Sequence, residues 1–394
     1  MTGSMDILNA LSGTTVLIAN PSADVYGSDL QMRESVAALR SAGCRVVVAI
    51  PEDGQLVPML RELEAQVDFI DFPVLRRANQ SPRAFLAMFW SAIVAVPRLI
   101  RYIRRVGPSA TYVNTVTLPW WLLASRLARV PTVCHLHEAE NTDSPLIRRA
   151  LIAPLRLAHA VIVISRSTMA AMVDADPALS TKGHLIYNGV PQPPSAPTLR
   201  RQAETVRLVV VGRLSPRKAP HLALEAVARL RSRGYRLEIV FAGSAFPGYE
   251  WYVDDLKQRA ARADLSNAVH FAGYCSPIWP VLNDADIVVA PSLREPFGNA
   301  VVEAQLSLRP VIATAALGHL ESITDGETGL LVTPEDVDEL ARAIARIVDD
   351  PDFASALAMR AREEAIERFS TIRYDAEIVA LFSGLVGRAE VVAA

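Results

Sequence analysis

Short runs of aliphatic and β-branched residues alternate along the chain with longer stretches in which apolar residues recur every three or four positions. That alternation predicts parallel sheets wound through βαβ crossovers. Residues 15–19 (TVLIA) read as a buried strand, and Met32, Val36 and Leu39 mark one face of the helix after it. Gly43 closes that helix ahead of a strand over 45–50, and further strands are expected over 111–114, 132–135, 161–164 and 184–187. At Pro191 the pattern lapses: PQPPSAPTLRRQAET carries four prolines and no apolar period, which is linker chemistry. A second alternation follows, with strands over 208–211, 237–242, 287–290 and 311–314 and a helix over 220–232. The expected fold is therefore α/β, two Rossmann-like domains joined by a proline linker, with ligand where the strand C-termini of both face one cleft.

Composition narrows the classes. A chain of 394 residues, 51% of them hydrophobic, is too long and too apolar for a disordered tail and suits about two domains. Its 40 basic and 42 acidic side chains leave no excess to neutralise a run of phosphates, which argues against nucleic acid as a partner. Cys44, Cys134 and Cys275 are scattered and free of CxxC spacing, against a disulfide framework or a zinc site and in favour of a reducing cytoplasm. The opening MTGSMDILNALSG has no basic segment before an apolar one and does not read as a secretory signal. The longest uncharged apolar run, residues 84–97, is short of the roughly 20 needed to cross a bilayer.

The most informative stretch is PSLREPFGNAVVE, residues 291–303, which follows an apolar strand and opens a helix. Pro296 and Gly298 force a turn, and Asn299 suits the N-cap, so the N–H groups of Ala300 and its neighbours would form an anion site. Glu303 lies about 6 Å along the helix axis and Glu295 on the loop before it, placing an acid on each side of a diphosphate. The competing readings are a solvated helix residue for Glu303 and a chance loop acid for Glu295. A second stretch, VGRLSPRK at residues 211–218, leaves the first strand of the second domain. Gly212 permits a close turn, and Arg213 and Lys218 put two cations at the strand's C-terminal end, Arg suited to bidentate phosphate binding and Lys to a point charge. A basic surface loop is the plainer alternative.

Together these stretches resemble the retaining, nucleotide-sugar-dependent glycosyltransferases of the GT-B fold, family 4 (glycosyl transferase group 1). The resemblance covers nearly the whole chain. It rests on the E-x7-E signature from Glu295 to Glu303, VVVGRLSPRK, LIYNGV at 185–190, NDADIVVAPS at 283–292 and GHLESITDGETGLLV at 318–332. It implies that Glu295 holds the donor sugar, Glu303 the ribose, and Arg213 with Lys218 the leaving diphosphate. Phe297, Gly298, Asn299 and Ala300 would supply backbone contacts, and Gly273 and Tyr274, in FAGYCS, would border the base. It further implies domains over 1–190 and 191–368, with a final helix over 369–394 packing back on the first.

In the first domain, Tyr26-Gly27-Ser28-Asp29 occupies the first strand-to-helix turn, with Gly27 followed by Ser28 where the family often has two glycines. Ala219 likewise stands where Gly commonly follows the loop lysine. His135 and His137 share one face of a strand end. His137 matches the family's histidine near the reacting sugar; a metal reading of H-x-H-E lacks further ligands, and histidines satisfied by backbone partners are the bland alternative. Asp284 and Asp286 imitate a DxD metal motif but sit at a helix end, which favours a structural role. Residues 84–105 combine aromatic and aliphatic bulk with Arg98, Arg101, Arg104 and Arg105. A core helix with arginines flanking the cleft is favoured over peripheral contact with the inner membrane surface.

The expectation is a cytoplasmic, metal-independent enzyme without a cofactor. It would move a hexosyl or deoxyhexosyl group from a nucleoside-diphosphate sugar to a saccharide, polysaccharide or lipid-linked acceptor with retention of configuration. The alternatives are a nucleotide-sugar epimerase or phosphorylase of the same architecture, or a non-catalytic sugar-nucleotide-binding protein.

Overall fold

The structure, a computed structural model, describes residues 11–75, 82–138, 145–200, 204–245 and 248–393. Residues 1–10, most of the segment read for a secretory signal, and 201–203 of the proline-rich stretch lie outside the described residues. The chain divides into two compact units, Met1–Gly189 with Thr371–Ala394, and Val190–Ser370.

The first unit is built on seven strands: β1 (Thr15–Ala19), β2 (Arg45–Ile50), β3 (Gln66–Phe69), β4 (Ala110–Asn114), β5 (Thr132–Leu136), β6 (Ala160–Val163) and β7 (Gly183–Leu185). They form one parallel sheet in the order β3-β2-β1-β4-β5-β6-β7, with Val16 beside both Val46 and Ala110. The strands are apolar on both faces because both are covered. Val16 and Ile18 pack with Met32, Val36 and Leu39 of the helix Gly27–Ser41, while Leu17 and Ala19 face Leu99, Ile103 and Trp121 on the other side. The last helix, Thr371–Ala393, belongs to this unit, and its Tyr374, Ile378, Val379 and Phe382 fill the first of these cores.

The second unit holds β8 (Val206–Val211), β9 (Leu237–Ala242), β10 (Val269–Gly273), β11 (Ile287–Ala290), β12 (Val311–Thr314) and β13 (Leu330–Val332), again all parallel, in the order β10-β9-β8-β11-β12-β13. Each sheet reverses its winding once, between β1 and β4 and between β8 and β11. Loops leaving the C-terminal ends of such a pair diverge and open a crevice.

The stretch read as a linker is bound along the second unit. The buried Arg309 guanidinium donates to the carbonyls of Leu282 (2.8 Å) and Thr198 (3.1 Å), and Arg200 pairs with Asp286 at 2.7 Å. Asp286 also accepts from the Arg207 N–H at 2.7 Å, so it ties β8 to the turn before β11. Three strands were not foreseen, β3, β10 and β13, all at a sheet edge, where exposed or half-exposed polar residues such as Gln66, Asp68 and His270 blur the apolar run.

Candidate active site

In the second unit, the crevice between β8 and β11 brings together two of the residues singled out from sequence. Lys218, on the loop after β8, forms an ion pair with Glu295, on the loop after β11. Ser292 Oγ donates to the same carboxylate oxygen at 3.2 Å. Burial pushes the Glu295 carboxyl up, but the charge and hydrogen bond of the Lys218 ammonium, together with His319 and Arg217, outweigh it, and the carboxyl is held down to about 2. The loops are fixed to one another by backbone: Leu293 N donates to Arg217 O at 2.9 Å, and Gly318 N to Glu295 O at 2.8 Å. Arg213 lies half-buried on the same loop as Lys218.

Two glycines are demanded by close approach. A Cβ on Gly243 would stand 1.9 Å from the Gly212 carbonyl, and one on Gly318 would stand 2.5 Å from Phe297 Cα. Gly212 itself has φ +131°, so the turn out of β8 is strained for any other residue. Ala219 adopts φ 48°, ψ 42° as the N-cap of the helix Pro220–Ser232. That left-handed geometry explains why glycine suits the position, since a side chain there costs about 1–2 kcal/mol.

Asn299 is not the N-cap of the next helix. Gly298 takes that place with φ 101°, and Asn299 is the first residue of the helix Asn299–Leu306. A glycine wins because the turn needs a positive φ and because His319 crowds the position, its Cδ2 lying 3.0 Å from where a Cβ would be. The N–H groups of Asn299 and Ala300 therefore lie in the first turn of the helix. Phe297 is buried and packs edge-on against Phe369 with ring centroids 5.4 Å apart, so its side chain anchors the loop. Glu303, one turn further in, is half-buried, and its side chain makes no hydrogen bond or ion pair among the described residues. Burial alone drives its carboxyl up to about 7. Gly273 ends β10 with φ +72°, and Tyr274 beside it is exposed.

In the first unit, Gly27 begins the helix after β1, and Asp29 in its first turn is buried. His137, just past the end of β5, is half-buried; its Nε2 lies 2.7 Å from Asn114 Oδ1, at the end of β4. Desolvation lowers its pKa to about 3, so the ring is neutral. His135 stands on the same side, ring centroids 4.0 Å apart, with Nδ1 2.5 Å from the Tyr112 hydroxyl. Both histidines thus have side-chain partners, and among the described residues no cluster of three or more His, Cys, Asp or Glu is placed to hold a metal ion.

Sequence reasoning gave no role to Asn20, Asp29, Asn114, Ser292, Thr314 or His319. Asn20 and Asn114 carried a signal that could have been read, an asparagine ending each of two apolar strands, TVLIAN and ATYVN. Thr314 donates to the Ser292 carbonyl, and His319 Nδ1 lies 3.0 Å from the Thr314 carbonyl, which ties the end of β12 to the Glu295 loop.

Residues 196–367 match the family described as glycosyl transferases group 1, and residues 27–192 match Glycosyltransferase Family 4. The chain belongs to this family of GT-B glycosyltransferases. The crystal structure of Anabaena Alr3699/HepE in complex with UDP-glucose superposes with a TM-score of 0.79 at 26% identity, over 94% of this chain and 100% of that one. The lipopolysaccharide core biosynthesis glycosyltransferase LpsE of Rhizobium meliloti is 33% identical over 43% of this chain. The alpha-D-kanosaminyltransferase of Streptomyces kanamyceticus is 27% identical over 63% of it. The chain spans 47% of LpsE and 69% of the kanosaminyltransferase, and about half the length of most of the curated relatives it matches.

Proposed function

We propose that this protein is a retaining glycosyltransferase that moves a sugar from a nucleoside diphosphate to a saccharide, polysaccharide or lipid-linked acceptor. The observation that carries the reading is the Lys218–Glu295 pair beside the amide-bearing start of the helix Asn299–Leu306, with an uncompensated Glu303 one turn inside. Lys218 and Arg213, with the helix N-terminus, offer positive charge to a diphosphate; Glu295 accepts hydrogen bonds from sugar hydroxyls and Glu303 from the ribose diol. When the bond from the anomeric carbon to the diphosphate breaks, these groups stabilise the charge that develops on the leaving oxygen. The acceptor oxygen forms the new bond on the same face, and its proton passes to the departing phosphate, so no protein nucleophile is called on.

HepE was crystallised with UDP-glucose, which makes that donor the first to test. Incubation with UDP-glucose and a panel of saccharide and lipid-linked acceptors is expected to yield a glycoside of the donor's own anomeric configuration, read by proton NMR. Glu295→Gln is expected to lower kcat roughly 10²–10³-fold. Wild-type turnover in that variant would show that the site is misplaced, and sugar isomerisation or phosphorolysis without acceptor would favour the epimerase or phosphorylase reading.

The first unit adds a surface suited to a lipid-linked acceptor. On the helix Pro82–Val106, Ala92, Leu99 and Ile103 are buried, while Trp90, Ile93 and Val94 are exposed and followed by exposed Arg98, Arg101, Arg104 and Arg105. No described helix is long and apolar enough to cross a membrane. The reading extends to peripheral attachment by this face. Co-sedimentation with anionic vesicles that weakens with added salt is the expected result, and its absence at low salt rules attachment out.

A further inference from the structure

The end of β4 carries a chain of side-chain hydrogen bonds whose direction is fixed from one end. The Asp29 carboxylate accepts from Asn20 Nδ2 at 2.9 Å on one oxygen and from the Tyr26 N–H at 3.2 Å on the other. Asn20 Nδ2 also donates to the Ser22 carbonyl at 2.7 Å. Reversing the Asn20 amide would set its oxygen against a carboxylate and a carbonyl with no proton between them, so the anchors assign its orientation. Asn20 Oδ1 then accepts from Asn114 Nδ2 at 2.6 Å, and that nitrogen also donates to the Ser28 carbonyl at 3.3 Å. The same argument leaves Asn114 Oδ1 as an acceptor, facing His137 Nε2 at 2.7 Å. Asn20, Asp29 and Asn114 are all buried, so water offers no substitute partner and a reversed amide would leave polar groups unpaired.

We propose that Asp29, acting through Asn20 and Asn114, is a positioning residue for His137: it sets the Nε2–H tautomer and leaves Nδ1 as an acceptor for a substrate hydroxyl. This rests on the glycosyltransferase reading for the identity of the substrate, not for the tautomer. Among the described residues His137 Nδ1 has no hydrogen-bond partner. His137 then works neither as an acid nor as a cation toward phosphate. It accepts from a sugar, and a deoxy sugar lacking the matching hydroxyl would leave Nδ1 unpaired and be used less well.

The test reads the ring directly. With ¹⁵N-labelled histidine, the His137 signals, assigned by their loss in His137→Gln, are expected to show the proton on Nε2 in the ligand-free wild type. Asp29→Asn keeps the shape but can present an amide donor where the carboxylate stood. It is expected to move part of the population to the Nδ1–H form and to lower kcat with UDP-glucose roughly tenfold or more. Placed in the His137→Gln background, Asp29→Asn should cause no further loss, because its effect passes through the missing ring. A proton on Nδ1 in the wild type overturns the proposal even where the variants do not fold. A full, additive loss in the double variant also overturns it, by marking Asp29 as merely structural. The expected tautomer in a protein that transfers no sugar from any nucleoside diphosphate supports the relay and counts against the glycosyltransferase reading alone.

Discussion

Glu303 and Glu295 sit within eight residues of one another and are pushed in opposite directions. Glu303, desolvated without a cation, has its carboxyl raised to about 7. A carboxyl raised in the folded state binds its proton more tightly there than in the unfolded chain, so stability falls as pH rises from about 4.5 through 7. Glu303→Gln is therefore expected to stabilise the protein by ~1–2 kcal/mol at pH 8 but not at pH 4, after discounting for the residue's partial exposure, read as a raised melting temperature. The same variant should weaken nucleotide-sugar binding about tenfold or more, since a charge-assisted hydrogen bond is lost, and calorimetry at both pH values checks the pair of effects. Glu295 behaves in reverse. Its depressed carboxyl contributes stability that is present above about 4.5 and lost as pH falls toward 2, so Lys218→Ala should move the acid-unfolding midpoint upward in a circular-dichroism titration. The sequence placed Glu295, Glu303, Lys218 and Arg213 in one motif frame, because their spacing along two loops is local. It did not show Asn20 or Asn114 as a pair, since 94 residues separate them and only the winding of β4 beside β1 brings them together.

At the scale of elements, the central strands were legible because each is a continuous apolar run buried on both faces, and β2, β9, β11 and β12 coincide with their expected bounds. Of the four edge strands only β7 was, because an edge strand exposes one flank and mixes polar residues into a short run. The LIYNGV stretch was read as a motif without a physical reason, and the returning helix supplies one. A Cβ on Gly189 would stand 2.6 Å from Tyr374 Cβ and 3.2 Å from Thr371 Cα. Arg373 donates to the carbonyl of Tyr187 at 2.6 Å, and the Tyr374 hydroxyl lies 2.6 Å from Ser35 Oγ, so the helix has no room to retreat. Gly189→Ala is expected to destabilise the protein by ~1–3 kcal/mol through overpacking, measured as a lowered midpoint in urea.

At the scale of the whole molecule, the chain leaves the first unit after Gly189 and re-enters it at Thr371. The residues on the far side of those crossings pair: Val190 bridges Ser370, and Val190 N donates to Phe369 O at 2.8 Å. A fragment spanning 190–370 carries a complete sheet and its own cores, and it is expected to unfold cooperatively by circular dichroism and to retain UDP binding within about tenfold of the full chain. A fragment ending at 189 lacks Tyr374, Ile378, Val379 and Phe382 from its core. It is expected to stay unfolded until a 371–393 peptide is added. Because entry and exit lie side by side, the second unit is topologically a cassette: two cuts remove it and two joins replace it. On the proposed function, exchanging this cassette between relatives would change the sugar transferred while leaving the first unit's chain intact.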